Sequence, residues 1–200
     1  MANILLTLNN ISVTFKTRHG VFKAVEDLCI ELKEGEILGL VGESGAGKSI
    51  TGAAILGLIP SSGYISSGEI YFKSQRIDTN PKIYRGSKIS MIFQDPLVSL
   101  NPLRRVGDQL IETIQVHSPC TRTEAIERAK QSLEEVGIDA NRLNAYPHTF
   151  SGGMRQRVVI ALALAPGPAI IVADEPTTSL DVSNQAQILN LLKNLCKEKK

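Results

Sequence analysis

Gly42-Glu43-Ser44-Gly45-Ala46-Gly47-Lys48-Ser49 satisfies G-x-x-x-x-G-K-[ST], the pattern of a phosphate-binding loop. Ahead of it, Ile37-Leu38-Gly39-Leu40-Val41 is a short apolar run that reads as a buried strand. Behind it, Ser49 to Leu58 reads as a helix. Strand, glycine loop and helix form the context in which the pattern has a mechanism. Gly42, Gly45 and Gly47 let the chain turn so that the N–H groups of the loop, those of Glu43, Ser44 and Ala46 among them, face phosphate oxygens. The positive end of the following helix adds to that attraction. Lys48 is expected to reach the β- and γ-phosphates, and the Ser49 hydroxyl to ligate Mg²⁺. The loop predicts a nucleoside triphosphate site.

The rest of the composition sets outer bounds. A chain of 200 residues suits one medium domain or a core with an inserted subdomain, and a hydrophobic fraction of 42% is ample for packing. The formal net charge of +2 points neither toward nor away from nucleic acid or anionic membrane. Cys29, Cys120 and Cys196 are widely spaced and odd in number, which suits incidental thiols in a reducing compartment better than a disulfide or zinc frame. The N-terminal residues lack the basic and long apolar regions of a signal peptide, and the longest apolar run, Val158 to Ala165, is too short to span a bilayer. A cytosolic chain is expected, reaching any membrane through a partner.

Along the chain, Leu5 to Phe15 reads as a strand, Val21 to Leu32 as one or two more, and Gly68 to Phe72 as another. Ile89 to Phe93 alternates and ends at Gln94-Asp95-Pro96. From there to about Ala165 the texture is helical. Thr121 and Glu124 form a possible capping box ahead of Ile126, Ala129, Leu133 and Val136, with Gly137 placed to end that helix. Ser151-Gly152-Gly153 opens a further helix that Pro166 terminates; Ala169 to Ala173 reads as a buried strand and Gln185 to Lys199 as a last helix. The expected fold is α/β: a phosphate-loop nucleoside-triphosphatase (RecA-like) core with a mainly parallel sheet, an antiparallel β flank and an inserted helical subdomain.

Two further stretches carry chemistry. Ile170-Ile171-Val172-Ala173-Asp174-Glu175 is an apolar strand ending in two acids, placed where an α/β sheet binds its ligand. Asp174 is expected to hold Mg²⁺, directly or through water, and Glu175 to orient or deprotonate an attacking water. Phe150-Ser151-Gly152-Gly153-Met154-Arg155-Gln156-Arg157 offers free N–H groups, a hydroxyl and a helix N-terminus to an anion.

With this third stretch the chain resembles the ATP-binding cassette family, whose signature reads Ser-Gly-Gly-x-x-Gln-Arg. The order phosphate loop, Gln94, signature, Asp174-Glu175, Ser179-Leu180-Asp181 matches the family across nearly the whole chain. The resemblance implies two cassettes facing head to tail around two ATP molecules, as a homodimer or heterodimer. Ser151 and Gly153, flanking Gly152, would then contact the γ-phosphate held by the partner's Lys48. Gln94 would be the family's glutamine switch, contacting Mg²⁺ or water and sensing a transmembrane partner, and Asp181 a dimer-interface residue. An aromatic near the N-terminus normally stacks on adenine, which leaves Phe15 and Phe22 as candidates.

Met91-Ile92-Phe93-Gln94-Asp95-Pro96, Ser99-Leu100-Asn101-Pro102, Tyr146-Pro147-His148 and Asp174-Glu175-Pro176-Thr177-Thr178 resemble cassettes of bacterial dipeptide, oligopeptide and nickel importers. That likeness implies an ATP-hydrolysing subunit on the cytoplasmic face of the bacterial inner membrane. It would bind permease subunits directly and serve an extracytoplasmic solute-binding protein indirectly, with no nucleic-acid partner. Family members carry a further strand after the last helix, ending in a switch histidine. Here the chain stops at Lys200, and His19, His117 and His148 all lie upstream of that place. Impaired hydrolysis and reduced stability are therefore expected of the chain as written. The rival readings are a truncated nucleotide-binding cassette with little turnover and a soluble cassette ATPase of DNA repair or translation. The importer-like stretches weigh against the second.

Overall fold

The computed structural model describes residues 3–18, 20–178 and 180–198. His19 and Ser179 lie outside them, as do the chain ends. Packing divides the chain into two compact units, one running to Arg85 and including the end of the last helix from Leu195, the other from Gly86 to Asn194.

The first unit is built on β1 (Ile4–Thr17), β2 (Gly20–Lys33), β3 (Gly63–Phe72) and β4 (Gln75–Arg76), antiparallel in the order β2-β1-β3-β4. In β1 the most deeply buried apolar positions are Leu6 and Leu8, then Ile11 and Val13, with Leu5 also buried. The switch from even to odd positions needs one extra residue. Asn10 supplies it, with φ 49°, and the register to both neighbouring strands shifts at that level. Gly68 on β3 has φ 86° there, and a side chain on it would run into the Asn9 and Asn10 carbonyls. The strands expected from Leu5, Val21 and Gly68 are present, and the stretch from Val21 forms one long strand rather than two.

Helix α1 (Lys48–Leu56) follows the phosphate loop and ends at Gly57, whose φ of 60° lets its N–H return to the Ala53 and Ala54 carbonyls. Its last carbonyls are further covered by Arg85, whose Nε donates to Leu56 O at 2.5 Å and whose Nη2 donates to Gly57 O.

One expectation fails in this unit. Ile37-Leu38-Gly39-Leu40-Val41 does not form a buried strand: it enters no ladder, and Val41 is 94% exposed. An apolar run supplies the side chains of a strand, but the ladder needs N–H and C=O groups from a neighbour. Among the described residues no strand pairs with the run to provide them.

The second unit begins with β5 (Ile89–Ile92), which pairs in parallel with β6 (Ile170–Ala173) from Ile89↔Ile170 to Ile92↔Ala173. Between the two run α2 (Pro96–Ser99), α3 (Val106–His117), α4 (Arg122–Glu135) and α5 (Gly152–Leu164), and α6 (Val182–Glu198) follows. The Thr121/Glu124 capping box is present: the Thr121 N–H donates to Glu124 Oε2 at 2.7 Å, and the Glu124 N–H to Thr121 Oγ1 at 3.3 Å. Gly137, at φ 74°, ends α4 with its N–H on Glu134 O. Leu110, Ile114, Leu133 and Ile160 are fully buried, each removal from water contributing about 1.5–3 kcal/mol. The α/β class, the antiparallel flank and the helical insertion are all present. Among the described residues the parallel part is the β5–β6 pair.

Candidate phosphate loop and acid turn

In the first unit the loop turns through Gly45 and Gly47, at φ 83° and 82°. Gly47 admits no side chain, because a Cβ would strike the Ala24 carbonyl and come within 2.9 Å of Val25 Cγ2. The Lys48 ammonium folds back and donates to the carbonyls of Gly42 at 2.8 Å and Glu43 at 2.7 Å. A phosphate oxygen would exchange for these two acceptors. The buried Thr51 hydroxyl donates to Gly47 O at 3.0 Å and fixes the start of α1, whose first turn carries no acid to repel an anion. A cavity of about 190 Å³ adjoins the loop, lined by Val25, Leu40, Val41, Ala46, Lys48 and Thr51.

Phe15 and Phe22 are directly opposed across β1 and β2, so their rings share one face of the sheet. Phe15 is half-buried, with its ring against Gly63 and Ile59, while Phe22 is 57% exposed. The two candidates are neighbours rather than alternatives in separate places.

In the second unit the ladder runs one bond beyond β6, the Asp174 N–H donating to Ile92 O at 2.9 Å. Glu175 then takes φ 44°, a left-handed conformation that costs a non-glycine residue about 1–3 kcal/mol. Its carboxylate is held from two sides. Gln94 Nε2 donates to Oε2 at 3.0 Å, and Thr178 Oγ1 donates to the same oxygen at 3.0 Å. Two residues 81 apart in sequence, Gln94 and Glu175, are thus in contact at the carboxyl ends of adjacent parallel strands.

Ser151 caps α5, its Oγ accepting from the Met154 N–H at 3.3 Å. Gly153 is buried beneath Asn184, whose Oδ1 would lie 2.8 Å from a Cβ placed there. Asn184 in turn donates through its N–H and Nδ2 to Asp181, at 2.9 and 2.7 Å. The Asn184 N–H bond, then the bonds from the Asn184 and Ser183 side chains, hold the Asp181 carboxyl below the usual range. Asn184 therefore links the Ser-Gly-Gly stretch to the Asp181 turn. Nothing in the sequence singled it out, since its role depends on a glycine across the gap.

The remaining signature residues are structural. Arg157 donates to Val136 O at 2.8 Å and Gln187 Oε1 at 3.0 Å, closing the C-terminus of α4. Arg155 donates to Pro147 O at 2.9 Å. Gln156 is fully buried, and its amide has no hydrogen-bond partner among the described residues; nothing in the structure explains this. His148 stacks on Tyr146 at 5.7 Å, and His117 packs against Gly86. Ser49, Asp174 and Gln94 offer oxygen donors only, the chemistry that suits Mg²⁺.

The ABC transporter family model matches residues 25–178. The oligopeptide transport ATP-binding protein OppD of Salmonella typhimurium is 48% identical over 98% of this chain and 60% of its own length. OppD of Bacillus subtilis is 47% identical over 97% of this chain and 56% of its own length. The chain thus spans less than two thirds of the curated relatives it matches. Among solved structures, the ATP-binding cassette MJ0796, in a dimeric post-hydrolysis state with ADP and Pi, superposes with a TM-score of 0.82 at 30% identity. That match covers 97% of this chain and 84% of the cassette. The structure of cbiO1 from Clostridium perfringens, part of the ABC transporter complex cbiONQ, gives 0.80 at 26% identity, over 98% of this chain and 75% of its own.

Proposed function

The chain belongs to the ABC transporter family, and from that membership we propose that it is the ATP-binding and ATP-hydrolysing subunit of a bacterial importer for peptides. A nickel-like small solute is the alternative cargo. The observation that carries the reading is the bond from Gln94 to Glu175, which joins a polar sensor to an acid at the ends of two parallel strands.

Each residue then has a task. The N–H groups from Gly42 to Ser49 cradle the phosphates, and Lys48 leaves its own carbonyls for the β- and γ-oxygens. The adenine stacks on the Phe15 and Phe22 face. Ser49, Asp174 and Gln94 would hold Mg²⁺, which supplies charge neutralisation to the phosphate oxygens when bound. Glu175 orients the attacking water and accepts its proton. Ser151, Gly152 and Gly153 present a capped helix N-terminus to the γ-phosphate bound by a second cassette, and Asp181 faces that second cassette. Residues 1–94 and 166–200 act as the nucleotide-binding core and 95–165 as the helical subdomain. No helix among the described residues is long and apolar enough to cross a membrane. In this reading, which the oligopeptide-transport relatives support, the subunit works at the cytoplasmic face of the inner membrane through permease partners, with a solute-binding protein acting on those partners and not on this chain.

The test compares ATP binding with ATP hydrolysis by this chain, using Lys48→Ala as control. Binding and turnover that both collapse in Lys48→Ala are expected. Binding without turnover would favour a nucleotide-binding cassette that does not hydrolyse, and no binding would overturn the reading.

A further inference from the structure

We propose that Thr178 is a positioning residue for Glu175: with Gln94 it holds Oε2 of the carboxylate and so leaves Oε1 to meet the attacking water. The proposal rests on the assignment of Glu175 as the water-orienting acid.

The geometry is local and follows from the chain. Glu175-Pro176-Thr177-Thr178 is a turn closed by the Thr178 N–H on Glu175 O at 3.3 Å. Pro176 stands second in it, where a fixed φ near the required value favours the turn. The fourth residue of such a turn comes back beneath the first. Its side chain can therefore reach the first residue's carboxylate, and Thr178 Oγ1 does so at 3.0 Å, against 3.3 Å to the Glu175 carbonyl. A hydroxyl has one proton, and the shorter bond, to a charged acceptor, is the stronger.

Gln94 reaches the same oxygen from the end of β5, at 3.0 Å. Two donors on Oε2 fix the rotation of the carboxylate about its last bond. Among the described residues no side chain donates to Oε1. The left-handed backbone of Glu175, at φ 44°, adds a reason for an outside hold, since that conformation persists only where neighbours over-determine it. Thr178 is the donor that stays with Glu175 whatever Gln94 does, because both belong to one turn.

Thr178 is exposed, so Thr178→Val removes the hydroxyl without opening a cavity, and Thr178→Ser restores it. The chain is labelled with ¹³C at the glutamate δ-carbon, and the Glu175 signal is identified by its disappearance in Glu175→Gln. Spectra are recorded without nucleotide at one fixed pH, and ATP turnover is measured alongside. We expect Thr178→Val to move the Glu175 carbon signal and lower kcat about tenfold with KM little changed. Thr178→Ser is expected to return both readouts toward those of the native chain. A Glu175 signal identical in the Val, Ser and native chains would overturn the proposal, however slow the turnover. A signal that moves in Thr178→Val while Glu175→Gln turns over as the native chain does would support the contact and overturn the assignment of Glu175 as the acid.

Discussion

The phosphate loop and the acid turn are held in different ways. The loop is held by bonds to itself: Lys48 to the Gly42 and Glu43 carbonyls, and Thr51 to the Gly47 carbonyl. The apolar run that leads into it enters no ladder. The acid turn continues a parallel ladder through the Asp174 N–H and is clamped by side chains from two other positions. A loop held by its own carbonyls can exchange them for phosphate oxygens with little else disturbed. An acid that must meet water at one distance gains more from a sheet beneath it.

The largest test of this contrast concerns the strands on which the two ends stand. Ile92 is fully buried under the acid turn, whereas Val41 beside the loop is almost fully exposed. Ile92→Ala should cost about 2–5 kcal/mol in a urea unfolding experiment, and Val41→Ala no more than about 0.5 kcal/mol. Equal costs would break the comparison, because the run before the loop would then be packed after all.

A smaller effect is expected at the loop itself. Gly47→Ala places a Cβ against the Ala24 carbonyl at a backbone of φ 82°. The substitution should destabilise by about 1–3 kcal/mol and weaken ATP binding, read by calorimetry and by a nucleotide titration. Native affinity in that variant would mean that the loop reshapes freely against the Ala24 carbonyl.

The smallest effect lies near the acid turn, at the cap of α6. Asp181 has its carboxyl held below the ordinary value of 3.8 by the Asn184 N–H first and then by the Asn184 and Ser183 side chains. A depressed value in the fold means that the contribution is present above the unfolded value and fades as pH falls through the folded one. The difference in melting temperature between the native chain and Asp181→Asn should therefore be greatest near neutral pH and shrink below 3.8. A difference that grows in acid would contradict the bonding described here.

Most of the architecture can be read from the residues because the signals are local. The Thr121/Glu124 box, the Gly137 stop, the Ser151 cap and the apolar strand ending at Asp174 each depend on a few neighbours in sequence. The run Ile37 to Val41 misleads for the opposite reason: five apolar residues state what they would bury but not which backbone will pair with them. Helix α3 merges into a broadly helical stretch, since Val106, Leu110 and Ile114 have no distinctive cap ahead of them. At the site, the glycines, Lys48, Gln94 and Glu175 follow from motifs. Thr178 and Asn184 matter through a turn and a glycine that bring them onto their partners, and a lone polar side chain carries no periodicity to betray that.

Arg85 at the far end of α1 changes what an approaching anion meets. An isolated helix acts as about half a positive charge at its start and half a negative charge at its end. Arg85 sits on the carbonyls of Leu56 and Gly57 and cancels the negative pole, while no acid in the first turn offsets the positive one. Seen from the loop, α1 with Arg85 is a net source of positive potential instead of a balanced pair of poles. The potential of such a source falls with the first power of distance, not the second, until salt cuts it off at about 10 Å in 0.1 M electrolyte. To an anion nearing the loop, α1 then presents its positive pole without the opposing one.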